Sequence, residues 1–221
     1  MTTIKTFLVR TLVGFGILMC LFLLYTGWRM LPPLWAVSKY RPQVGDVLVQ
    51  DIDPCGRLLR AVKGVSQSGW CHCGVVDSVD GRWVVHEAVG SGVQTTPIVH
   101  FLLRGDDPRF AVYRLTDQFR HQAEMFAQNC LQYLGRPYDS KYEMDDEKIY
   151  CSELVYKAYL SATGEPLVPT QRLGDLNWTG HVEEIKHYSE SDDLPAVLTR
   201  EVVTPVALTY SSRLQKVLEV K

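Results

Sequence analysis

The sequence has little net charge. A formal charge of -2 over 221 residues leaves no basic stripe, so no nucleic-acid partner is expected. It has no internal repeat and no low-complexity tract, which sets repeat architectures aside. The spaced acidic loop of a calcium site is missing, and Asp145-Asp146-Glu147 reads instead as a solvated stretch ahead of a helix. Ser189 to Asp193, SESDD, reads as an acidic loop. Cys71-His72-Cys73 is spaced too tightly for a structural zinc pair, and strand alternation would turn both cysteines away from His72. No metal and no cofactor is expected. Charge is also missing from Leu12 to Trp28, which reads LVGFGILMCLFLLYTGW.

That run is about 25 Å long as a helix, near the lower limit for crossing a bilayer. Phe7 to Val9 would lengthen it if Arg10 snorkels to the interface. Tyr25, Trp28 and Trp35 would then form an aromatic belt. A cleaved signal peptide is the competing reading, but Ala36-Val37-Ser38 lies well past the apolar run and after Pro32-Pro33. Cys20 follows Met19, which does not suit a lipoprotein cleavage site. We therefore expect an N-terminal membrane anchor at 1–29, a linker at 30–41 and one domain at 42–221. The orientation signal is weak: Lys5 and Arg10 stand on one side, Arg29, Lys39 and Arg41 on the other. The expectation is a single-pass protein of the bacterial inner membrane, its domain facing the periplasm. Besides Cys20 the chain has five cysteines, an odd number, so at least one thiol stays free of intramolecular pairing. Cys55 and Cys130 read either as apolar filler or as a disulfide.

The domain reads as α+β. Val47 to Gln50 is a strand after Gly45-Asp46. Arg57 to Gln67 carries a helical apolar stripe. His72 to Ser78 and Trp83 to Ala88 are β-rich and flank Asp80-Gly81, a two-residue hairpin signal. Phe110 to Leu115 is a further strand. Asp117 to Leu134 reads as a helix capped by Asp117, and Ile149 to Ala162 as a second one ended by Gly164. Glu201 to Thr209 is β-rich and ends in a short helical pattern.

Two features carry chemistry. Cys151, Leu154, Val155, Ala158 and Ala162 share one helical face, which puts Cys151 in a first turn, where the helix dipole favours a thiolate. A lone cysteine there is otherwise a small core residue. The hairpin supplies a partner. If Asp80-Gly81 is the turn, Val79 faces Arg82 and Gly74 faces Glu87. His72 and Glu87 then become diagonal neighbours on one sheet face, with His86 on the other alongside Cys71 and Cys73. Gly74 leaves room for the carboxylate to reach the imidazole. A carboxylate on Nδ1–H would fix the tautomer and leave Nε2 for a thiol.

These pieces resemble the permuted papain-like amidases, the YiiX/YebB-like branch of the NlpC/P60 superfamily. The resemblance rests on Gly45-Asp46-Val47, on His72-Cys73-Gly74-Val75-Val76 and on Glu87-Ala88. It continues in Pro137-Tyr138-Asp139 and in Tyr150-Cys151-Ser152-Glu153-Leu154-Val155. Thr204-Pro205-Val206-Ala207-Leu208 resembles the family's last strand. It implies a circularly permuted papain-like fold, with the cysteine helix packed on a small antiparallel sheet. It also implies Cys151 as nucleophile, His72 as general base and acid, and Glu87 as the orienting acid. Tyr138 is a candidate oxyanion or substrate contact. The expected activity is hydrolysis of an amide or ester in a small-molecule, peptide or lipid substrate of the cell envelope. Lipid acyl transfer at the same site, or a non-catalytic binding module, are the alternatives. Nothing in the sequence sets the oligomeric state.

Overall fold

A computed structural model describes residues 14–25, 27, 38–52, 56–104 and 109–220. The chain divides into two units, Met1–Lys39 and Tyr40–Lys221. In the first, residues 14–25 are helical and expose Phe15, Leu18, Phe22 and Leu24. Among the described residues no helix is long and apolar enough to cross a membrane. The ends of the expected anchor, with Arg10, Trp28 and Trp35, lie outside the described residues, as does Cys55.

The second unit is built on strands whose alternating residues bury both faces. β1 (Val47–Asp51), β2 (His72–Val79), β3 (Arg82–Val89), β4 (Gly92–Pro97), β5 (Arg109–Leu115) and β8 (Leu214–Val220) form one antiparallel sheet in the order β4-β3-β2-β1-β5-β8. A short ribbon of β6 (Gln171–Arg172) and β7 (Glu201–Val202) stands apart from it. At the β2–β3 turn Asp80 and Gly81 have φ of 51° and 73°. Positive φ at both positions is the backbone twist that a two-residue hairpin needs. Val79 pairs with Arg82, and the pairing runs inward to Val75 and His86, as the sequence register requires.

One sheet face presents Val47, Val49, Cys73, Val75, Ala88 and Ala111 to two helices, α3 (Ala123–Asn129) and α4 (Cys151–Thr163). Leu154, Val155 and Ala158 of α4 are fully buried there. Each large apolar side chain so covered stabilises the fold by about 1.5–3 kcal/mol. On the other face α2 (Ile98–Leu102) sets the Phe101 ring 5.5 Å from that of His72. The Gly45-Asp46 pair serves the frame. Asp46 is fully buried and accepts hydrogen bonds from Tyr40 Oη (2.6 Å) and from Arg114 Nε (2.7 Å) and Nη2 (2.8 Å). One carboxylate thus ties the start of β1 to β5 through charge-assisted bonds.

Two segments differ from the sequence reading. Asp117 to Leu134 is not one helix. A 3-10 turn (Arg120–Gln122), α3 and a second 3-10 turn (Cys130–Tyr133) follow one another. Asp117 is exposed and pairs with Arg120 instead of capping. No side chain caps either end of α3, and the orphan backbone groups tighten into 3-10 geometry. Thr204 to Leu208 is likewise not the last strand. Pro205 opens a one-turn helix, α7 (Pro205–Leu208), and Thr204 Oγ1 accepts the Ala207 N–H at 3.2 Å. The last strand is β8, paired with β5.

Gly74 has no spare volume. A Cβ there would stand 2.5 Å from Val85 Cγ1 and 2.8 Å from the His86 carbonyl oxygen. Gly74→Ala should therefore destabilise the domain by about 1–3 kcal/mol, the usual cost of overpacking. A shift of the urea midpoint at unchanged slope measures it; an unchanged midpoint would show that β2 and β3 can part without cost.

Candidate active site

The cysteine helix starts at Cys151 for local reasons. Tyr150 is extended (φ -96°, ψ 169°), and Glu153 Oε2 accepts the Tyr150 N–H at 3.0 Å. Ser152 Oγ donates to the Val203 carbonyl at 2.7 Å. Ser152 and Glu153 therefore anchor the helix start, a question the sequence left open. Glu153 is fully buried, and burial raises its pKa to about 7, against the pull of Lys157. At the other end Gly164, with φ 73°, stops the helix. The acidic run at 145–147 is exposed, and Asp146 pairs with Lys157 at 2.8 Å. It faces water and does not oppose a thiolate at Cys151.

The cysteine approaches from the α4 face, while His72 and Glu87 belong to the other. They meet at the end of the sheet, beyond the last β2–β3 pair, Val75 with His86. There Cys73 and His72 both act on the Cys151 thiol. The Cys73 thiol bond is the largest influence holding the Cys151 pKa well below its ordinary value. Burial pushes the other way, and His72 adds to the lowering. Cys73 is fully buried, and its own pKa goes up, first through burial and then through the neighbouring sulfur. Cys73 therefore stays a thiol and Cys151 carries the charge.

The sequence reading assigned the imidazole nitrogens the wrong way round. His72 Nε2 lies 2.5 Å from Glu87 Oε2, which leaves Nδ1 for Cys151. The far ring nitrogen is the one that extends across to β3. Burial alone would lower the His72 pKa, but hydrogen bonds to Cys151 and Glu87 raise it to about 9. The raised His72 and the lowered Cys151 both favour an imidazolium–thiolate pair.

Glu87 is fully buried and fully used. Arg104 grips it with Nη1 on Oε2 (2.7 Å) and Nη2 on Oε1 (2.6 Å), and Thr96 Oγ1 donates to Oε1 at 2.6 Å. Burial would raise its pKa; the Arg104 and His72 bonds outweigh that and hold it well below the usual carboxylate range. Sequence reasoning missed Arg104, Thr96 and the thiol role of Cys73. Arg104 and Thr96 lie on later elements with no motif to flag them. Cys73 was visible but was placed on the far face by alternation, which was correct and did not foresee that Cys151 would come from that side.

Tyr138 stands near Cys151, its hydroxyl bonded to that of Tyr142, and burial raises the pKa of both. Asp139 organises this loop by accepting the N–H groups of Lys141 (2.8 Å), Tyr142 (3.0 Å) and Glu143 (2.7 Å). His86, on the sheet face away from His72, is held by Asp77 (3.1 Å) and Thr95 (3.0 Å). Cys71 and Cys130 are buried, free thiols, and burial raises the pKa of each. A cleft of about 80 Å³ opens beside Cys151.

A first-turn cysteine, a strand histidine before it in the chain and a strand carboxylate behind that stand in the chain order of a permuted papain-like protein. Residues 41–218 match the family of permuted papain-like amidase enzymes, YaeF/YiiX, C92, and the chain belongs to that family. It is 28% identical over 179 residues to the uncharacterized protein YiiX of Escherichia coli K12, covering 80% of this chain and 87% of that one. A crystal structure described as metalloprotein yiiX from Escherichia coli O157:H7 superposes with a TM-score of 0.71 at 26% identity, over 81% of this chain and 98% of that one. The family supports a cysteine-hydrolase type of activity.

Proposed function

We propose that this chain is a membrane-anchored cysteine hydrolase that cleaves an amide or ester of a cell-envelope substrate by acyl transfer. The observation that carries this reading is one contact chain: Cys151 to His72 to Glu87. In the proposed mechanism the Cys151 thiolate adds to the substrate carbonyl. The C–N or C–O bond breaks, and the leaving group takes a proton from the His72 imidazolium. Water then attacks the thioester, giving its proton to His72 and releasing the acid and the thiolate. Glu87, fixed by Arg104, holds the ring in register throughout. Tyr138 is the proposed donor to the developing oxyanion. The uncharged run at Leu12 to Trp28 supports a membrane anchor; its place in the inner membrane with the domain in the periplasm is part of the proposal.

The E. coli structure is described as that of a metalloprotein. Among the described residues no group of three or more His, Cys, Asp or Glu side chains could hold a metal ion. The groups that meet at Cys151 satisfy one another by hydrogen bonds, and no step runs through a metal.

The test is mapping by mass spectrometry after exposure to an acyl-type thiol probe. We expect modification at Cys151 alone in the wild type, and its loss in His72→Ala. An added alcohol or amine that captures the acyl group ahead of water would shift the reading to an acyltransferase. Labelling spread over several cysteines and indifferent to His72 would overturn both in favour of a binding module.

A further inference from the structure

The loop after Pro137-Tyr138-Asp139 holds one residue in a conformation its side chain disfavours. Tyr142 has φ of 57°. A bulky residue in the left-handed region is uncommon, because its Cβ crowds the backbone. The surroundings impose it from several sides. Asp139 accepts the N–H groups of Lys141, Tyr142 and Glu143. Arg200 donates to the Lys141 carbonyl at 2.5 Å and pairs with Glu143 at 3.0 Å. Lys157 of α4 donates to the Met144 carbonyl at 3.0 Å. The Tyr142 ring stands 4.6 Å from that of Tyr150, the residue before the cysteine. Strain that so many contacts keep in place collects at functional sites.

The strained backbone presents one side chain to the cysteine. The cleft beside Cys151 is walled by α1 (Arg57–Ser66), α5 (Val182–Ser189) and α6 (Leu194–Leu198), and Tyr142 lines it together with Cys151. Tyr138 packs against the core, its hydroxyl bonded to that of Tyr142. Burial first, and then the Cys151 sulfur, raise the pKa of the Tyr142 phenol, so it stays an O–H. Two phenols bonded to each other hold two hydroxyl hydrogens, and the bond between them uses one. The other is left for an incoming oxygen.

We propose that Tyr142 is a further catalytic residue, the second phenol beside Tyr138 in a two-tyrosine donor to the oxygen that becomes negative at Cys151. This rests on the hydrolase reading above and names a group that meets its charged intermediate. The thiolate forms the S–C bond, the carbonyl π pair moves onto oxygen, and that oxygen accepts the phenol hydrogen bond without taking the proton. When the C–N or C–O bond breaks, the pair returns to the carbonyl, and the leaving group takes its proton from His72. A hydrogen bond that tightens as the charge develops lowers the barrier without tightening the hold on substrate.

The experiment compares two reactions of one sulfur in the full chain, with Cys151→Ala as background. Hydrolysis of p-nitrophenyl acetate passes through an oxyanion. Alkylation by iodoacetamide displaces iodide and forms none. We expect Tyr142→Phe to lower kcat for the ester by about 10²–10³-fold, with KM little changed and with Cys151 alkylated as fast as in the wild type. Tyr142→Phe combined with Tyr138→Phe should lose far less than the product of the single losses, because the pair acts as one unit. Unchanged turnover in Tyr142→Phe would overturn the proposal and leave the hydrolase reading intact. A parallel fall in alkylation would overturn it too, since the ring would then shape the site without meeting the oxygen. If Tyr142→Phe does not fold, Tyr142→Asn puts a residue at home in the left-handed backbone at that position and gives the same comparison. A wild-type protein that neither turns over the ester nor forms an acyl adduct at Cys151 would sink the hydrolase reading, and this proposal with it.

Discussion

Replacing Cys151 by alanine should abolish turnover, and His72→Ala should lower kcat/KM by about 10²–10⁴, the range for a positioned acid–base group. The two losses should not multiply. In the proposed mechanism His72 and Cys73 favour the thiolate, and Cys151 and Glu87 favour the imidazolium. Removing either partner dismantles one device, so the double variant should be no worse than Cys151→Ala alone. Steady-state kinetics on an ester, with circular dichroism to confirm folding, measures this. A His72→Ala protein with unchanged kcat/KM would remove the base from the mechanism.

Glu87→Gln should narrow the pH range of activity from the alkaline side. His72 has its pKa raised to about 9, against an ordinary value of about 6.5. A raised cationic group contributes stability that is complete below the unfolded value and is lost as pH climbs through the folded one. The ion pair, and the activity that depends on it, should therefore persist across neutral pH and fade near 9. An amide at position 87 removes the negative charge on the ring. The alkaline limb should then slide toward about 6.5, with a fall in kcat/KM of about 10²-fold. Arg104, left without its carboxylate, should also destabilise the domain. Arg104→Met separates the two effects, because it leaves the Glu87–His72 contact in place and should move the alkaline limb less. A pH–rate profile for each variant reads the difference, and coincident profiles for wild type and Glu87→Gln would show that the carboxylate does not set the imidazolium.

How much of this could be read from the sequence follows the range of the interactions. The hairpin was legible because it is local. Asp80-Gly81 fixes the turn, the turn fixes the register, and the register sets His72 diagonal to Glu87. The first-turn position of Cys151 was legible for the same reason, through the spacing of Leu154, Val155 and Ala158. What the sequence could not give depends on distant elements meeting. Arg104 reaches Glu87 from beyond α2, and Thr96 reaches it from β4. The choice between Nδ1 and Nε2 hangs on which side the sulfur arrives from, and nothing between His72 and Glu87 encodes that. The short helical pattern of the tail was legible; the strand at 204–208 came from the family resemblance, and Thr204 with Pro205 rules it out through capping.

The permuted order has a consequence for how the domain is made. His72 and Glu87 are fifteen residues apart and join through a hairpin, a contact that forms early because little chain must be closed. Cys151 leaves the ribosome much later and finds its thiol partner on β2 only when α4 docks. β8, the strand that completes the sheet beside β5, is later still. During synthesis the cysteine is therefore an ordinary thiol without His72 beside it. If Cys151 is the nucleophile proposed above, its reactivity is a property of the closed domain, which shields the nascent chain until folding is nearly finished.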